Sequence, residues 1–474
     1  MRRKFLSNAN VLGMCGFVES FIPEVMKEGG IPGLSIAVVR DNRIIYEEGF
    51  GSRDPADSLP ATPDTLYGIG SCTKSFVAMA IMQLIERGIL SLDDPVNKYI
   101  PIKIGLPGKH ITIHHLLTHS SGLPSLATST IALHRGIGFD TGAPWGGVND
   151  FYRLVNGAQE EIVDEPGRIF FYNNAGYRML GHIIQKVSSM TLDAFITENI
   201  LKPLKMRRTT LLREEYERDP DRMTPHWKKP DGTLIPTEYP YPNVADNPEF
   251  SFIAAAGGII SSVRELTNYL IANMEQGIFE ETQVISPESL EKMHTLYIER
   301  PQSHYGRYGY GYGWGVTEDF LGHKMLSHGG SIIVSTAYLA FIPNLKIGVA
   351  IAANTARPPY PIIAEGVFAA LMGKNPEKVI PALKIRDWMR TLVGTYEIYK
   401  GLSKVRVVNR GGLLYLEQKD SFTDTLVPLI PENENLQSQK FFVLAEGVRQ
   451  PINFEVHSQT EIDLYIERYR YHKA

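Results

Sequence analysis

The sequence predicts an α+β fold followed by a separate all-β domain, and three observations carry that expectation. First, two β-branched runs within LSIAVVRDNRIIYEEGF at 34–50, split by Asp41 and Asn42, have the pattern of a hairpin. Strand character returns in STAYLAFIP from 335 and KIGVAIAAN from 346, joined by a turn at Pro343 and Asn344, so both ends should meet in one antiparallel sheet. Second, the segment after Ser71 has apolar residues at helical spacing (Phe76, Met79, Ile81, Met82, Leu84) and stops near Gly88, which predicts a long buried helix. Third, after residue 383 the chain becomes a series of short strand-like pieces: GTYEIY, KVRVVNR, LLYLEQ, TLVPLI, KFFVLAE, INFEVH and IDLYIERY. Seven or eight strands punctuated by Gly, Asn, Ser or Pro predict a small barrel or sandwich over 384–474.

Helical patterns such as HHLLTH near 115 and AGYRMLGHIIQKVSSM from 175 dominate between about 100 and 250, broken by Pro- and Gly-containing loops. The expected plan is a first domain over 1–383, with its sheet region at about 17–100 and 250–375 and a helical insertion at about 100–250.

Composition narrows the function classes. The net charge of −4 is spread along the chain with no basic block, which argues against nucleic acid and against an anionic membrane surface as partners. Cys15 and Cys72 are too few for a disulfide framework and lack metal-ligand spacing. The basic start MRRKFLSNANVLGMCGF is similar to the n-region of a signal peptide, but Ser7, Asn8 and Asn10 interrupt its apolar run. A cytoplasmic location is the expectation, with export left open.

Chemistry enters at Ser71 and Lys74, an S-x-x-K element where a helix is expected to begin. Residues i and i+3 share a helix face, so the lysine nitrogen can reach the serine hydroxyl, and a partly desolvated lysine can act as its base. The helix N-terminus adds positive potential where an oxyanion would develop. By itself so short an element is weaker than its structural alternative, a helix cap beside a solvated lysine. Two further elements change the balance: Tyr172 and Asn174 in FFYNNAGY before a helix expected from Gly176, and SHGGS at 327–331 before an apolar strand. In the latter, Gly329 and Gly330 permit close approach of a substrate or another backbone.

These three elements resemble the serine β-lactamase and penicillin-binding-protein superfamily, particularly its class C, D-aminopeptidase and esterase branch (the S12 peptidase type). IPGLSIAVVRD near 31, ITIHHLLTHSSGLP at 111–124, EPGRIFFYNNAGY at 165–177 and AAGGIISSVRELTNYL at 255–270 are similar to the family, in its order. Tyr172-Asn173-Asn174 stands in place of S-D-N, and His328-Gly329-Gly330 in place of K-T-G. The appended β-rich domain is similar to archaeal self-compartmentalising serine peptidases of this group, whose extra domain resembles a lipocalin. The resemblance implies a β-lactamase/transpeptidase-like fold, a homo-oligomer and no cofactor.

It also implies roles. Ser71 attacks a carbonyl, Lys74 and Tyr172 share the proton relay, Asn174 holds the substrate amide and Lys74, and the backbone N–H groups of Ser71 and Ser331 form the oxyanion hole. Whether Lys74 or Tyr172 takes the first proton stays open. A histidine at 328 is mostly neutral at pH 7, unlike a lysine, which weakens the case for a dedicated β-lactamase. A peptide, amide or ester substrate is expected, foremost a peptide containing D-amino acids, with carboxylesterase or weak β-lactamase activity as alternatives. A penicillin-binding sensor or structural protein with little turnover is the rival of a different class. Cys72 reads as a small buried residue, and His114, His115 and His119 lack the carboxylate that would complete a metal site. Tyr308, Tyr310, Tyr312 and Trp314 fit either a cleft lining or packing under a glycine-rich loop.

Overall fold

In the computed structural model, which describes residues 9–474 except 230, 242–243, 302–303, 357, 420–423, 434–436, 446 and 468, the early hairpin forms around Asp41 and Asn42. Their φ values of 48° and 60° are both positive, as a two-residue type I′ turn requires, and the register pairs Arg40 with Arg43. The basic residues at the very start of the chain lie outside the described residues. Residues Ala9–Gly29 form a helix, α1, that buries Val11, Met14, Val18, Phe21, Ile22, Val25 and Met26 on one side. Among the described residues no helix is long and apolar enough to cross a membrane.

Among the described residues the main sheet is antiparallel and nine-stranded. Its strands are β1 (Gly33–Arg40), β2 (Arg43–Asp54), β3 (Leu59–Pro60), β4 (Ile298–Glu299), β5 (Tyr308–Tyr310), β6 (Gly315–Phe320), β7 (His323–Ser331), β8 (Thr336–Ile342) and β9 (Ile347–Ala353). They run in the order β4-β5-β6-β7-β8-β9-β1-β2-β3, so the two ends of the first unit meet where β9 pairs with β1. Every residue of β8 and β9 is buried, which explains their continuous apolar sequences. Helix α2 (Thr73–Glu86) runs through the core beneath the sheet, with Lys74 to Leu84 all buried. Helices α3 (Asn174–Ser188) and α4 (Val263–Met274) pack around it, and α4 lies against β1, β8 and β9. The insertion is mostly helical as expected, apart from a short strand pair, His226–Lys228 with Leu234–Pro236.

Two compact units divide the chain, one up to Phe368 and the other Ala369–Ala474. Among the described residues the second carries nine strands where seven or eight were expected, because Ile430–Pro431 and Tyr469–Lys473 pair separately. Its antiparallel sheet curls until Asp424–Pro428 returns alongside Lys440–Ala445, giving a nearly closed barrel. Tyr396, Val405, Val407, Leu416, Phe441, Val443, Ile452, Phe454 and Leu464 come together in one cluster, so the barrel interior is a packed core.

One buried side chain locks the centre of the main sheet. Asn354, just past β9, accepts from Gly33 N–H at 2.8 Å and donates to the Ser52 carbonyl at 2.9 Å, tying the ends of β9, β1 and β2 together. Asn354→Ala leaves a buried donor and acceptor unpaired and is expected to lower unfolding free energy by about 2–3 kcal/mol, read by chemical denaturation.

Candidate active site

Ser71 sits in a tight 3₁₀ turn, Gly70–Cys72, that runs directly into α2. That turn reaches the main sheet by backbone-to-backbone contact. Gly70 has φ +52°, and a methyl group on it would stand 2.3 Å from Ser331 N; one on Gly330 would stand 1.9 Å from Ile69 O and 2.7 Å from Ser71 N. Only glycine fits at either position, and the approach brings the Ser71 and Ser331 backbones together. Behind the turn, the buried Cys72 thiol donates to the His328 carbonyl at 3.2 Å; burial pushes its pKa up to about 12, so it stays protonated. SHGGS forms the second half of β7 and precedes β8, in line with the sequence expectation.

Lys74 is fully buried on the first turn of α2. Its Nζ lies 3.0 Å from Ser71 Oγ, 2.7 Å from Asn174 Oδ1 and 2.7 Å from the Ala256 carbonyl. Asn174 comes from the start of α3, which begins two residues earlier than the sequence suggests because the Asn173 side chain caps it, accepting from Gly176 N–H at 3.2 Å. Ala256 ends the 3₁₀ segment Pro248–Ala256. Burial, and next the charge of Arg178, hold the Lys74 pKa well below its usual value. A neutral amine has two protons, and the Asn174 and Ala256 oxygens can only accept. Both protons are thereby occupied, and the nitrogen lone pair is left facing the Ser71 hydroxyl.

Tyr172 shares a side-chain hydrogen bond with Ser71, and its ring lies 4.9 Å from Lys74 Nζ. Burial raises its phenol pKa and outweighs the Ser71 bond, which lowers it. His328 is 6% exposed. Its Nδ1 donates to the Gly329 carbonyl at 2.7 Å, so in the neutral ring Nε2 accepts from the Tyr310 hydroxyl at 2.8 Å. Burial, then the charge of Lys74, hold its pKa down at about 3. Ser71, Lys74, Tyr172, Asn174, His328, Gly329, Gly330 and Ser331, the residues singled out in sequence, therefore converge on one place.

With this geometry the family follows. Residues 18–370 match the family model described as Beta-lactamase. The chain belongs to the beta-lactamase family. Residues 376–472 match a second model, the Pab87 octamerisation domain. The octameric penicillin-binding protein homologue from Pyrococcus abyssi superposes with a TM-score of 0.85 at 39% identity, over 97% of this chain and 100% of that one. Protein flp of Staphylococcus aureus (strain MW2) is 34% identical over 234 residues, 47% of this chain and 45% of the relative. Penicillin-binding protein 4* of Bacillus subtilis (strain 168) is 32% identical over 177 residues, 35% of each chain. The chain thus spans about half the length, or less, of these two curated relatives. A fold likeness extends to EstCE1, a hydrolase with promiscuous acyltransferase activity, at a TM-score of 0.62 and 21% identity, covering 76% of this chain and 99% of that one. The comparisons place the chain within the serine beta-lactamase and penicillin-binding-protein family and give its second unit the likeness of an octamerisation domain.

Beside the family motifs the structure adds residues that sequence spacing does not single out. The aromatic cluster resolves into packing and one functional contact: Tyr310, Tyr312 and Trp314 are buried, and Tyr310 holds His328. The three histidines of ITIHHLLTHSSGLP part company. His114 meets Tyr312, His115 caps Thr112, and His119 accepts from Asn173 N–H with its ring 4.3 Å from Tyr172. Arg178, one turn beyond Asn174 on α3, is fully buried; its Nε donates to the Ile253 carbonyl at 3.1 Å, and its guanidinium stacks on Trp145. No carboxylate pairs with Arg178 among the described residues. It joins the two elements that supply Lys74 with its acceptors, and the i+4 spacing from Asn174 could have flagged it.

The charged and titratable groups acting around Lys74 are Arg178 from α3, Cys72 from the turn, Tyr172 and Tyr177 whose rings face it, and His119 and His328 which feel its charge. Arg178→Gln removes the nearest fixed cation, so the Lys74 pKa rises. The acid limb of the kcat/KM pH profile is expected to move to higher pH, while Arg178→Lys keeps it near its original position; this is checked with any substrate whose turnover depends on Ser71.

Proposed function

We propose that this chain is a serine peptidase that forms an acyl-enzyme at Ser71 and accepts peptides containing D-amino acids. The observation that carries the reading is the hydrogen-bond set of Lys74: a buried amine, both protons committed to obligate acceptors, its lone pair toward the Ser71 hydroxyl. Lys74 takes the Ser71 proton, Oγ bonds to the substrate carbonyl carbon, and the oxyanion meets the backbone N–H groups of Ser71 and Ser331. The scissile C–N bond then breaks, the leaving amine receives the proton from Lys74 by way of Tyr172, and water releases the acid by the same route. The opposite pKa directions of the two groups favour Lys74 as the first base and Tyr172 as a neutral relay. With both ring nitrogens committed, His328 positions β7 and transfers no proton. The D-peptide preference rests on the resemblance of the sequence motifs to the D-aminopeptidase branch and on relatives named for penicillin binding.

Ser71→Ala is expected to lower kcat/KM by roughly 10³-fold or more on D-peptides, L-peptides, p-nitrophenyl esters or nitrocefin, whichever the protein turns over. Intact-mass spectrometry of the unmodified protein should show the acyl adduct at Ser71. Ester turnover alone would make it a carboxylesterase, and a stable adduct without turnover on any substrate would make it a sensor.

We further propose that the barrel unit assembles the chain into an octamer, like the octameric Pyrococcus abyssi relative. Leu402 and Val448 are 80% and 68% exposed on the barrel, positions where apolar side chains gain from a partner surface. Leu402→Glu combined with Val448→Glu is expected to lower the oligomer mass measured by light scattering; an unchanged mass would place the interface elsewhere.

A further inference from the structure

Arg178 is fully buried on α3, and a guanidinium keeps its proton inside a protein. Such a charge needs a counter-charge. Among the described residues no carboxylate pairs with it, and its Nη1 has no hydrogen-bond partner. Nε is taken by the Ile253 carbonyl at 3.1 Å, and Nη2 reaches the Ser129 hydroxyl at 3.4 Å. The Tyr241 hydroxyl also faces the guanidinium, but burial keeps that phenol protonated, so it supplies no negative charge. Ser129 stands in the first turn of the nine-residue helix Thr128–Gly136, whose N-terminus has neither a side-chain cap nor an acidic residue. That terminus carries positive potential of its own, so two positive ends meet here. Two further buried donors flank the place: Thr128 Oγ1, beside Ser129, and Trp145 Nε1, on the ring whose centre lies 5.6 Å from the guanidinium carbon. Neither has a partner among the described residues.

We propose that Arg178, Ser129 and the first turn of Thr128–Gly136 bind one monovalent inorganic anion of chloride size. The groups that meet there are guanidinium N–H, hydroxyl O–H and helix N-terminal N–H, a set that attracts an anion and repels a cation. Because Ser129 accepts from Arg178, its own hydroxyl proton is free to point at the ion. Size follows from burial: Arg178 and Thr128 are closed to solvent, while Ser129 and Trp145 are half-buried and give a small ion its approach. Binding at this site is independent of the serine peptidase reading; only its kinetic consequence rests on that reading. The groups acting around Lys74 are Arg178, Cys72, Tyr172, Tyr177, His119 and His328, and among them Arg178 is the fixed cation that opposes protonation of the amine. An anion on Arg178 cancels part of that field, so Lys74 holds its proton to higher pH and the bound ion tunes the base from behind, away from the substrate.

The test uses the full chain with sodium bromide, and sodium gluconate as a larger anion, at constant ionic strength. Thermal unfolding is expected at a temperature that rises with bromide and saturates as one site fills, with no such rise in gluconate. Ser129→Ala keeps the charge of the site and removes one donor, so about 3- to 10-fold more bromide should be needed for the same rise. Arg178→Gln should abolish the rise. Should that variant fail to fold, crystals of the unmodified protein soaked in bromide decide the matter: an anomalous-scattering peak is expected within hydrogen-bond distance of Arg178 Nη1. No peak there, or a bromide effect that gluconate reproduces or that Ser129→Ala and Arg178→Gln leave unchanged, overturns the proposal. In turnover, bromide should move the acid limb of the kcat/KM profile to higher pH in the unmodified protein and leave it in place in Arg178→Gln; a shift that persists in the variant assigns the anion to another site. Failure of the serine peptidase reading would appear separately, as turnover indifferent to Ser71→Ala while bromide still binds.

Discussion

Burying an amine beside a serine hydroxyl places demands on everything around it. In water an ammonium is strongly solvated, and inside a protein it either loses its proton or gathers partners. At Lys74 the partners are drawn from three elements: Ser71 from the turn before α2, Asn174 from α3, and the Ala256 carbonyl from the end of the 3₁₀ segment Pro248–Ala256. Each must arrive within hydrogen-bond distance, so the relative placement of α2, α3 and Pro248–Ala256 is set by one nitrogen. Arg178 braces the same two neighbours through Ile253, and its charge opposes protonation of Lys74. Structure and electrostatics are thus satisfied by the same contacts.

The second constraint is steric. The Gly70–Ser71 turn and the Gly330–Ser331 end of β7 approach at distances that no side chain tolerates, and the Cys72 thiol fastens the turn to β7 from behind. A nucleophile on a helix and a strand edge beside it would otherwise be separated by the usual layer of side chains. Removing that layer at two glycines brings the Ser71 and Ser331 backbones together. The same logic accounts for the order of the sheet: β7 must lie where α2 begins, and the pairing of β9 with β1 brings the late strands back to the early ones.

Much of this is legible in the sequence because it is local. The Asp41-Asn42 turn, the i+3 relation of Ser71 and Lys74, the apolar runs of β8 and β9 and the repeated short strands of the barrel all follow from periodicity and turn chemistry. The start of α3 lies two residues ahead of the sequence expectation because Asn173, a member of the tyrosine motif, is also a cap. Arg178 and Tyr310 do not stand out as site residues, because the partner of each, the Ile253 carbonyl and His328, is brought to it by the fold. Tyr310 is visible only as a member of an aromatic cluster, and nothing in GRYGYGYGWG distinguishes the tyrosine that bonds His328 from those that pack.

His328 connects these points. A lysine at that position would carry its charge into a buried site, at a desolvation cost. The histidine avoids this by remaining neutral, held so by burial and by two committed ring nitrogens. A carboxylate in the wall would have the opposite fault, because it would stabilise protonated Lys74 and remove the base. A site that depends on a neutral buried amine is therefore harmed by a fixed anion in its lining, whereas a cation such as Arg178 helps to keep the amine unprotonated. Such a lining has an electrostatic bias of its own before any substrate arrives, and a substrate can bring an anion into it transiently without the permanent penalty that a protein carboxylate would impose on Lys74.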